Sequence, residues 1–221
     1  MNVLHTVRST IISAFVSLPI LLIGFVGLLS IGLGNLGLFV LFAGQAVIVP
    51  VAVALTQFIT GFLGGDANPL FFVRASDLGR LVPSEASTLY MQNVAPSFWL
   101  TQIWFFLSYL FTNAVKVFRL EKDKTAVAAL YENRRMRAVA LMTVAALSAV
   151  VITALRFFMG TETLVGAVIS AVVGGLLGWG WYEFAAFCGA RHADIFGIAQ
   201  QILTTEARKS APMTCVYSPR P

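Results

Sequence analysis

Five long runs of apolar residues, separated by polar or glycine-rich breaks, make up most of the chain. They cover approximately residues 11–31, 36–63, 98–118, 136–158 and 163–187. A helix needs about 20 predominantly apolar residues to cross the hydrocarbon core of a bilayer, and all five runs reach that length. The pattern therefore predicts an all-α fold, a polytopic transmembrane helical bundle with five spans.

The breaks between the runs have the composition of turns and loops. Gly32, Gly34 and Asn35 separate the first two spans, and glycine and asparagine favour tight turns. Pro50 lies inside the second span and predicts a kink, because proline lacks the backbone N–H that a helix uses. The loop over residues 64–95 mixes apolar and charged residues, so a sixth short or re-entrant segment there is the alternative to five spans.

Composition supports an integral, multi-pass membrane protein. The chain is 58% hydrophobic and 11% charged, with a mean hydropathy of +0.83, whereas soluble domains carry about 25% charged residues. Residues 1–187 are predicted to form one transmembrane domain and residues 188–221 a polar tail. In the tail, apolar residues at roughly helical spacing predict a short amphipathic helix on the membrane surface: Ile195, Phe196, Ile198, Ile202 and Leu203.

The net charge of +5 comes mainly from the segment between the third and fourth spans. Its basic residues are Lys116, Arg119, Lys122, Lys124, Arg134, Arg135 and Arg137. The positive-inside rule places this basic loop, residues 119–137, and the C-terminus in the cytoplasm. Five spans would then put the N-terminus outside, where Arg8 is unfavourable. An endomembrane, the plasma membrane and a viral membrane all fit. Nucleic-acid binding is not expected, since no basic face alternates with exposed aromatic residues.

Few residues could carry chemistry. Ser97 follows Pro96 at the start of the third span, where it either caps the helix or, with the helix N-terminus, forms an anion site. Arg156, at the extracytoplasmic end of the fourth span, either reaches toward lipid headgroups, pairs with Glu162, or binds a phosphate. Glu183 is expected to be an interfacial residue rather than a proton relay.

Small residues four apart in the fifth span predict close helix packing: Ser170, Gly174 and Gly178, and also Ala167, Ala171 and Gly175. The two cysteines and the two histidines, Cys188, Cys215, His5 and His192, form no metal-ligand pattern. No metal or cofactor is predicted.

From about Ala95 to Tyr182 the chain resembles the type 2 phosphatidic acid phosphatase superfamily, and within it the dolichyl-diphosphate phosphatase branch. The family's Pro-Ser-x-His motif matches Pro96-Ser97-Phe98-Trp99. Its Ser-Arg motif, separated by five residues from a histidine, matches Leu155-Arg156 and Glu162. The glycines Gly174 and Gly178 and the pair Trp181-Tyr182 follow in register. The phosphatase-like core would cover about residues 95–187.

The resemblance implies that Arg156 and Ser97 bind phosphate, with Arg74 and Arg80 as the nearest matches to the family's upstream basic motif. It also implies that both catalytic histidines are replaced. Trp99 stands for the histidine that protonates the leaving group, and Glu162 stands for the nucleophile. Loss of groups that act as a unit should lower the rate by many orders of magnitude.

The favoured hypothesis is a catalytically inactive pseudoenzyme with a lipid-phosphate phosphatase-like fold, which binds a lipid phosphate headgroup or serves a structural role. Two alternatives remain. In one, the protein is an active lipid phosphate or isoprenyl diphosphate phosphatase with Glu162 as the nucleophile. In the other, it is a transporter or a membrane anchor whose cytoplasmic tail binds a protein partner.

Overall fold

The computed structural model describes the backbone of residues 3–62, 72–73, 93–94, 96–119, 128–158, 164–189 and 195, and the side chains of residues 17–59, 62, 96–119, 132–158, 164–189 and 195. The helices in these residues are α1 (Val3–Leu33), α2 (Leu36–Ala43), α3 (Val49–Phe62), α4 (Phe98–Arg119), α5 (Ala128–Phe158) and α6 (Leu164–Cys188). A π-helical turn, Gly44–Ile48, joins α2 to α3. Two-residue strands, β1 (Phe72–Val73) and β2 (Asn93–Val94), pair antiparallel with Phe72 opposite Val94. The predicted all-α class is confirmed for the described chain.

Three helical segments of the described chain are long and apolar enough to cross a membrane: Leu36–Ile59, Glu132–Phe158 and Leu164–Cys188. Large apolar side chains project from them, such as Phe58, which is 73% exposed. These are properties of an integral membrane protein. The described apolar part of α1, Ser17–Leu33, is shorter, and α4 is interrupted by polar residues. The count of five spans therefore stays a prediction, and the long loop that holds the sixth-segment alternative lies mostly outside the described residues.

The predicted turn between the first two spans is confirmed. Gly34 adopts a φ of 58°, a left-handed conformation that glycine reaches without steric cost. Asn35 then caps α2, because its side-chain oxygen accepts hydrogen bonds from the N–H groups of Gly37 at 2.8 Å and Leu38 at 3.3 Å. The Asn35 side-chain nitrogen donates to the carbonyl of Ile195 at 2.8 Å, which anchors this point of the tail.

Helix α4 is the central element of the bundle. It packs extensively against both α5 and α6, while α5 and α6 touch each other very little. Its buried apolar residues contribute to two clusters, one around Phe105 and Tyr109 and one around Trp99, Leu100 and Ile103. The Tyr109 ring meets the Tyr182 ring of α6 edge-on, with centroids 5.2 Å apart. The start of α4, which carries Trp99 and Leu100, is therefore packed against neighbouring residues.

The predicted ridge formed by Ser170, Gly174 and Gly178 on α6 is confirmed as the contact with α4, whereas a Cβ atom on Gly175, of the second predicted row, would meet no heavy atom within 4 Å. A Cβ atom on Gly174 would lie 2.5 Å from the carbonyl oxygen of Thr101, and one on Gly178 would collide with the carbonyl oxygen of Phe105. Ser108 also donates from its hydroxyl to the Gly175 carbonyl at 2.7 Å. Small residues let two membrane helices approach until their backbones touch.

The predicted basic loop over residues 119–137 is wrong in its extent. Helix α5 begins at Ala128, so Arg134, Arg135 and Arg137 lie on its first turns rather than in a loop. Arginine has a high helix propensity, and a helix can continue past the end of its apolar run when the extension is exposed to a polar environment. Hydropathy marked the membrane-facing part of α5 and not the whole helix. Most of the predicted amphipathic tail helix lies outside the described residues.

Candidate functional site

Arg156 and Trp99, the residues that the two motif matches singled out, are in contact. Arg156 lies in the last turn of α5 and is wholly buried, with 0% of its surface exposed. Its guanidinium carbon lies 4.6 Å from the centroid of the Trp99 ring, in the first turn of α4. A guanidinium over an indole face is attracted by the negative face of the ring, by about 2 kcal/mol or more when water is excluded. This contact joins the end of α5 to the start of α4.

Ser97 caps α4 at the same end of the bundle. Its hydroxyl accepts a hydrogen bond from the N–H of Leu100 at 3.4 Å, and its carbonyl accepts one from the Thr101 hydroxyl at 2.7 Å. The Ser97 N–H donates to the hydroxyl of Ser170 on α6 at 2.9 Å. The capping role that the sequence allowed is thus present, and the bond to Ser170 fixes the start of α4 against α6.

The residue before Ser97 is also fixed. Pro96 is buried, and its carbonyl accepts a hydrogen bond from the side-chain nitrogen of Gln57 on α3 at 2.8 Å. The start of α4 is therefore positioned by α3, α5 and α6 together. We call this junction, formed by Ser97, Trp99, Arg156 and Ser170, the α4 corner.

The described residues of the α4 corner bring two sources of positive charge together. The N-terminus of a helix carries about half a positive charge, from backbone N–H groups that no carbonyl of the helix accepts. The Arg156 guanidinium adds a full charge beside that terminus. Arg156 also lies in the last turn of its own helix, where a cation is favoured by the negative C-terminal end. An anion placed between the guanidinium and the start of α4 would be attracted by both.

The α4 corner offers no acid–base or nucleophilic group of the usual kinds among its described residues. Trp99 cannot transfer a titratable proton, and Ser97 and Ser170 have no described histidine partner, since no described side chain is a histidine. No group of three or more histidine, cysteine, aspartate or glutamate residues in the described chain could hold a metal ion. Binding an anion is the chemistry that these side chains can perform.

Three predicted site residues lie outside the described part of the chain. They are the candidate nucleophile Glu162 and the upstream basic residues Arg74 and Arg80. The structure brings together Ser97, Trp99 and Arg156 out of the predicted set. Among the described residues the pattern missed Ser170 as a partner of Ser97, although its place on the small-residue ridge was recognised.

A second polar contact inside the bundle was also missed. Gln102, one turn after Trp99, donates from its side-chain nitrogen to the backbone carbonyl of Gln45 at 2.7 Å, and both residues are 0% exposed. In the π-helical turn, carbonyls bond to the N–H five residues later, as Gly44 does to Val49. The partner of Gln45 would be Pro50, which has no N–H. Gln102 supplies the missing donor, and the available signal was Pro50, which leaves an upstream carbonyl without its helical partner.

An apolar groove of about 370 Å³ lies farther along α4, between α5 and α6. Its wall includes Trp104, Leu107 and Phe111 of α4 and a strip of alanines on α5. The Trp104 N–H donates to the Thr153 hydroxyl at 3.1 Å, and the Ser108 hydroxyl bonds to the Gly175 carbonyl. With those groups already bonded, the groove suits hydrocarbon and not a phosphate.

Compared with protein-family models, curated proteins and solved structures, the chain matches none of them. Membership of the phosphatase superfamily therefore remains a prediction from the motifs.

Proposed function

We propose that this chain is a membrane protein with a lipid-phosphate phosphatase-like arrangement of helices that binds a lipid phosphate headgroup without hydrolysing it. The observation that carries the proposal is the position of Arg156. Its guanidinium is buried against Trp99 beside the N-terminus of α4. Arginine presents a planar fork of N–H donors that matches two phosphate oxygens, and helix N-termini bind the same group.

The lack of hydrolysis follows from the residue types at the α4 corner. The resemblance places Trp99 where the family has the histidine that protonates the leaving group. Trp99 is 2% exposed and its ring lies under the Arg156 guanidinium, so it acts as a support for the cation. With no general acid or imidazole nucleophile among the described residues of the α4 corner, a bound phosphate ester would stay intact.

Orientation is part of the proposal. The basic end, where α4 finishes and α5 starts, would face the cytoplasm by the positive-inside rule. Arg156 lies at the far end of α5, so the α4 corner would face the opposite leaflet. The ligand would then be a lipid phosphate or diphosphate of the extracytoplasmic leaflet.

Retention of a lipid phosphate by the purified protein tests the proposal. The probe is phosphatidic acid, with phosphatidylcholine as the competing lipid, measured by native mass spectrometry at 0.5 M NaCl to screen exposed cations. The parent should retain about one phosphatidic acid molecule. Arg156→Met should lower that retention at least tenfold, because a hydrogen-bonded charge pair contributes about 1.5–3 kcal/mol.

Two further variants separate binding from folding. Lys116→Met removes one cation at the opposite end of the bundle and should leave retention unchanged. Arg156→Lys keeps the charge and loses the planar fork, so it should bind with intermediate strength. Thermal unfolding of each variant is measured in parallel. Equal retention by the parent and Arg156→Met, with both folded, would show that Arg156 only clamps α5 to α4.

A further inference from the structure

Three helix ends meet at the end of the bundle opposite the α4 corner. The Nζ atom of Lys116, in the last turn of α4, lies 2.8 Å from a carboxylate oxygen of Glu183, near the end of α6. The Arg135 guanidinium, on the first turns of α5, lies 4.6 Å from the centroid of the Phe118 ring of α4. These contacts place the ends of α4 and α6 and the start of α5 side by side.

The charges exposed at this end are mostly positive. Arg119, Arg135 and Arg137 are exposed, and we call these three residues the basic collar. Lys116 and Glu183 neutralise each other in their ion pair. Apart from that pair, Glu132 is the single acidic residue among the described side chains of this end. The described residues therefore leave an excess of positive charge.

The collar residues lie on two helices, Arg119 on α4 and Arg135 and Arg137 on α5. Arg134 and Ala138 are buried and mark the side of α5 that faces the bundle. With about 100° between successive helical residues, Arg135 and Arg137 flank that buried side on its two edges, about 3 Å apart along the axis. Cations spread over two helices match a plane of negative charge better than they match a single small anion.

The collar also lies where the apolar surface begins. On α5, Met136 is 73% exposed and Val139 is 44% exposed, and exposed apolar residues continue through Val144 and Leu147. On α6, Phe187 is 90% exposed close to Glu183. Cations that border an exposed apolar belt are at the depth of lipid phosphates when the belt is in the hydrocarbon core.

We propose that the basic collar is a binding surface for the headgroups of anionic phospholipids in the leaflet that it faces. Arg119, Arg135 and Arg137 contact lipid phosphates there through their guanidinium groups. This surface is separate from the α4 corner, because Arg135 and Arg156 are about 30 Å apart along α5 at 1.5 Å per residue, and it does not depend on the function proposed for Arg156.

The test compares lipids that differ in charge. Purified protein in mixed micelles is titrated with phosphatidylglycerol or phosphatidylcholine at low salt, and bound lipids are counted by native mass spectrometry. The parent should prefer phosphatidylglycerol, and 0.5 M NaCl should weaken that preference because exposed charges are screened. Replacing all three arginines by glutamine should lower phosphatidylglycerol affinity by about fivefold per arginine, on the order of 100-fold together.

Three controls make the result decisive. The triple Arg→Lys variant keeps the charges and should retain the preference within about threefold, since a lipid surface is recognised mainly by charge. Glu132→Gln removes the opposing acid and should strengthen phosphatidylglycerol binding, while the neighbouring Asn133→Ala should leave it unchanged. A glutamine triple variant that stays folded and binds phosphatidylglycerol like the parent would overturn the proposal, as would a parent with no preference between the two lipids.

Salt resistance separates this proposal from the one for Arg156. Loss of the low-salt preference in the glutamine triple variant, with one phosphatidic acid still retained at 0.5 M NaCl, would support the collar and leave the α4 corner intact. Conversely, Arg156→Met could lose the phosphatidic acid retained at 0.5 M NaCl and keep the low-salt preference for phosphatidylglycerol. That result would support the binding site at the α4 corner and leave the collar intact.

Discussion

The contact between α4 and α6 can be tested with two adjacent glycines of α6, of which only one faces α4. Gly174 faces α4, and a Cβ atom added to it would lie 2.5 Å from the Thr101 carbonyl oxygen and 2.8 Å from the Trp104 Cβ atom. A Cβ added to Gly175 would meet no heavy atom within 4 Å. The substitutions Gly174→Ala and Gly175→Ala thus make the same chemical change on the same helix, one into a backbone contact and one into open space.

The magnitude follows from the size of the clash. An ordinary contact needs about 3.5 Å, so α4 and α6 would have to separate by about 1 Å at Gly174. The Thr101 oxygen belongs to the backbone of a packed helix and cannot rotate away as a side chain could. Overpacking of this kind costs about 1–3 kcal/mol, and both variants gain up to about 1 kcal/mol from the better helix propensity of alanine. The two variants should differ by about 2 kcal/mol.

The reconstituted protein is unfolded reversibly by titration with a denaturing detergent, and tryptophan fluorescence monitors the unfolding. Gly174→Ala should unfold at a lower detergent fraction than the parent, and Gly175→Ala at the same or a slightly higher one. Gly178→Ala should resemble Gly174→Ala, because its Cβ would collide with the Phe105 carbonyl. Free energies of unfolding for Gly174→Ala and Gly175→Ala that agree within about 0.5 kcal/mol would refute the backbone contact.

Two hydrogen bonds inside the bundle can also be tested through their contribution to the free energy of unfolding. Gln102→Met should lower the free energy of unfolding by about 1–3 kcal/mol, because it leaves the buried Gln45 carbonyl without a donor. In a Pro50→Ala background, which restores a backbone N–H, the same substitution should lower it much less. An equal loss in both backgrounds would contradict this account. Trp104→Phe should lower the free energy of unfolding by about 0.5–1.5 kcal/mol, because it removes the hydrogen bond to Thr153. The same unfolding titration measures this loss, which should disappear in a Thr153→Val background.

Much of the fold could be predicted from local patterns. The turn at Gly34 and Asn35 was marked by residues that favour the required backbone conformation and cap. The limits of α4 were predicted within one residue and those of α6 within one, because both helices begin and end close to their apolar runs. The small-residue ridge on α6 was readable because a period of four residues identifies one helix face.

Other features depend on contacts that no local pattern records. The early start of α5 was missed because four charged residues, Glu132, Arg134, Arg135 and Arg137, lie within its first ten residues and lower the hydropathy there. The link between Gln102 and Gln45 joins residues 57 positions apart. The stretch of α4 was predicted as a span, yet its buried Gln102 and Asn113 reduce its hydropathy, and burial inside the bundle makes those residues acceptable.

Three of the four residues of the α4 corner were predictable from the sequence, and its geometry was not. The motif matches named Ser97, Trp99 and Arg156, and the structure brings Trp99 and Arg156 into contact. The contact of Trp99 with the guanidinium follows from the three-dimensional packing of α5 on α4. The bond between Ser97 and Ser170 likewise joins two helices that are distant in sequence.

The most direct test of the central claim is phosphate release by the purified protein from a panel of lipid phosphates and diphosphates, with Arg156→Ala as the control. A phosphate-binding bundle without hydrolytic groups should release no more inorganic phosphate than Arg156→Ala does, while the parent retains intact lipid phosphate. Release by the parent that vanishes in Arg156→Ala would contradict this account. It would show that the protein is a phosphatase whose activity depends on Arg156.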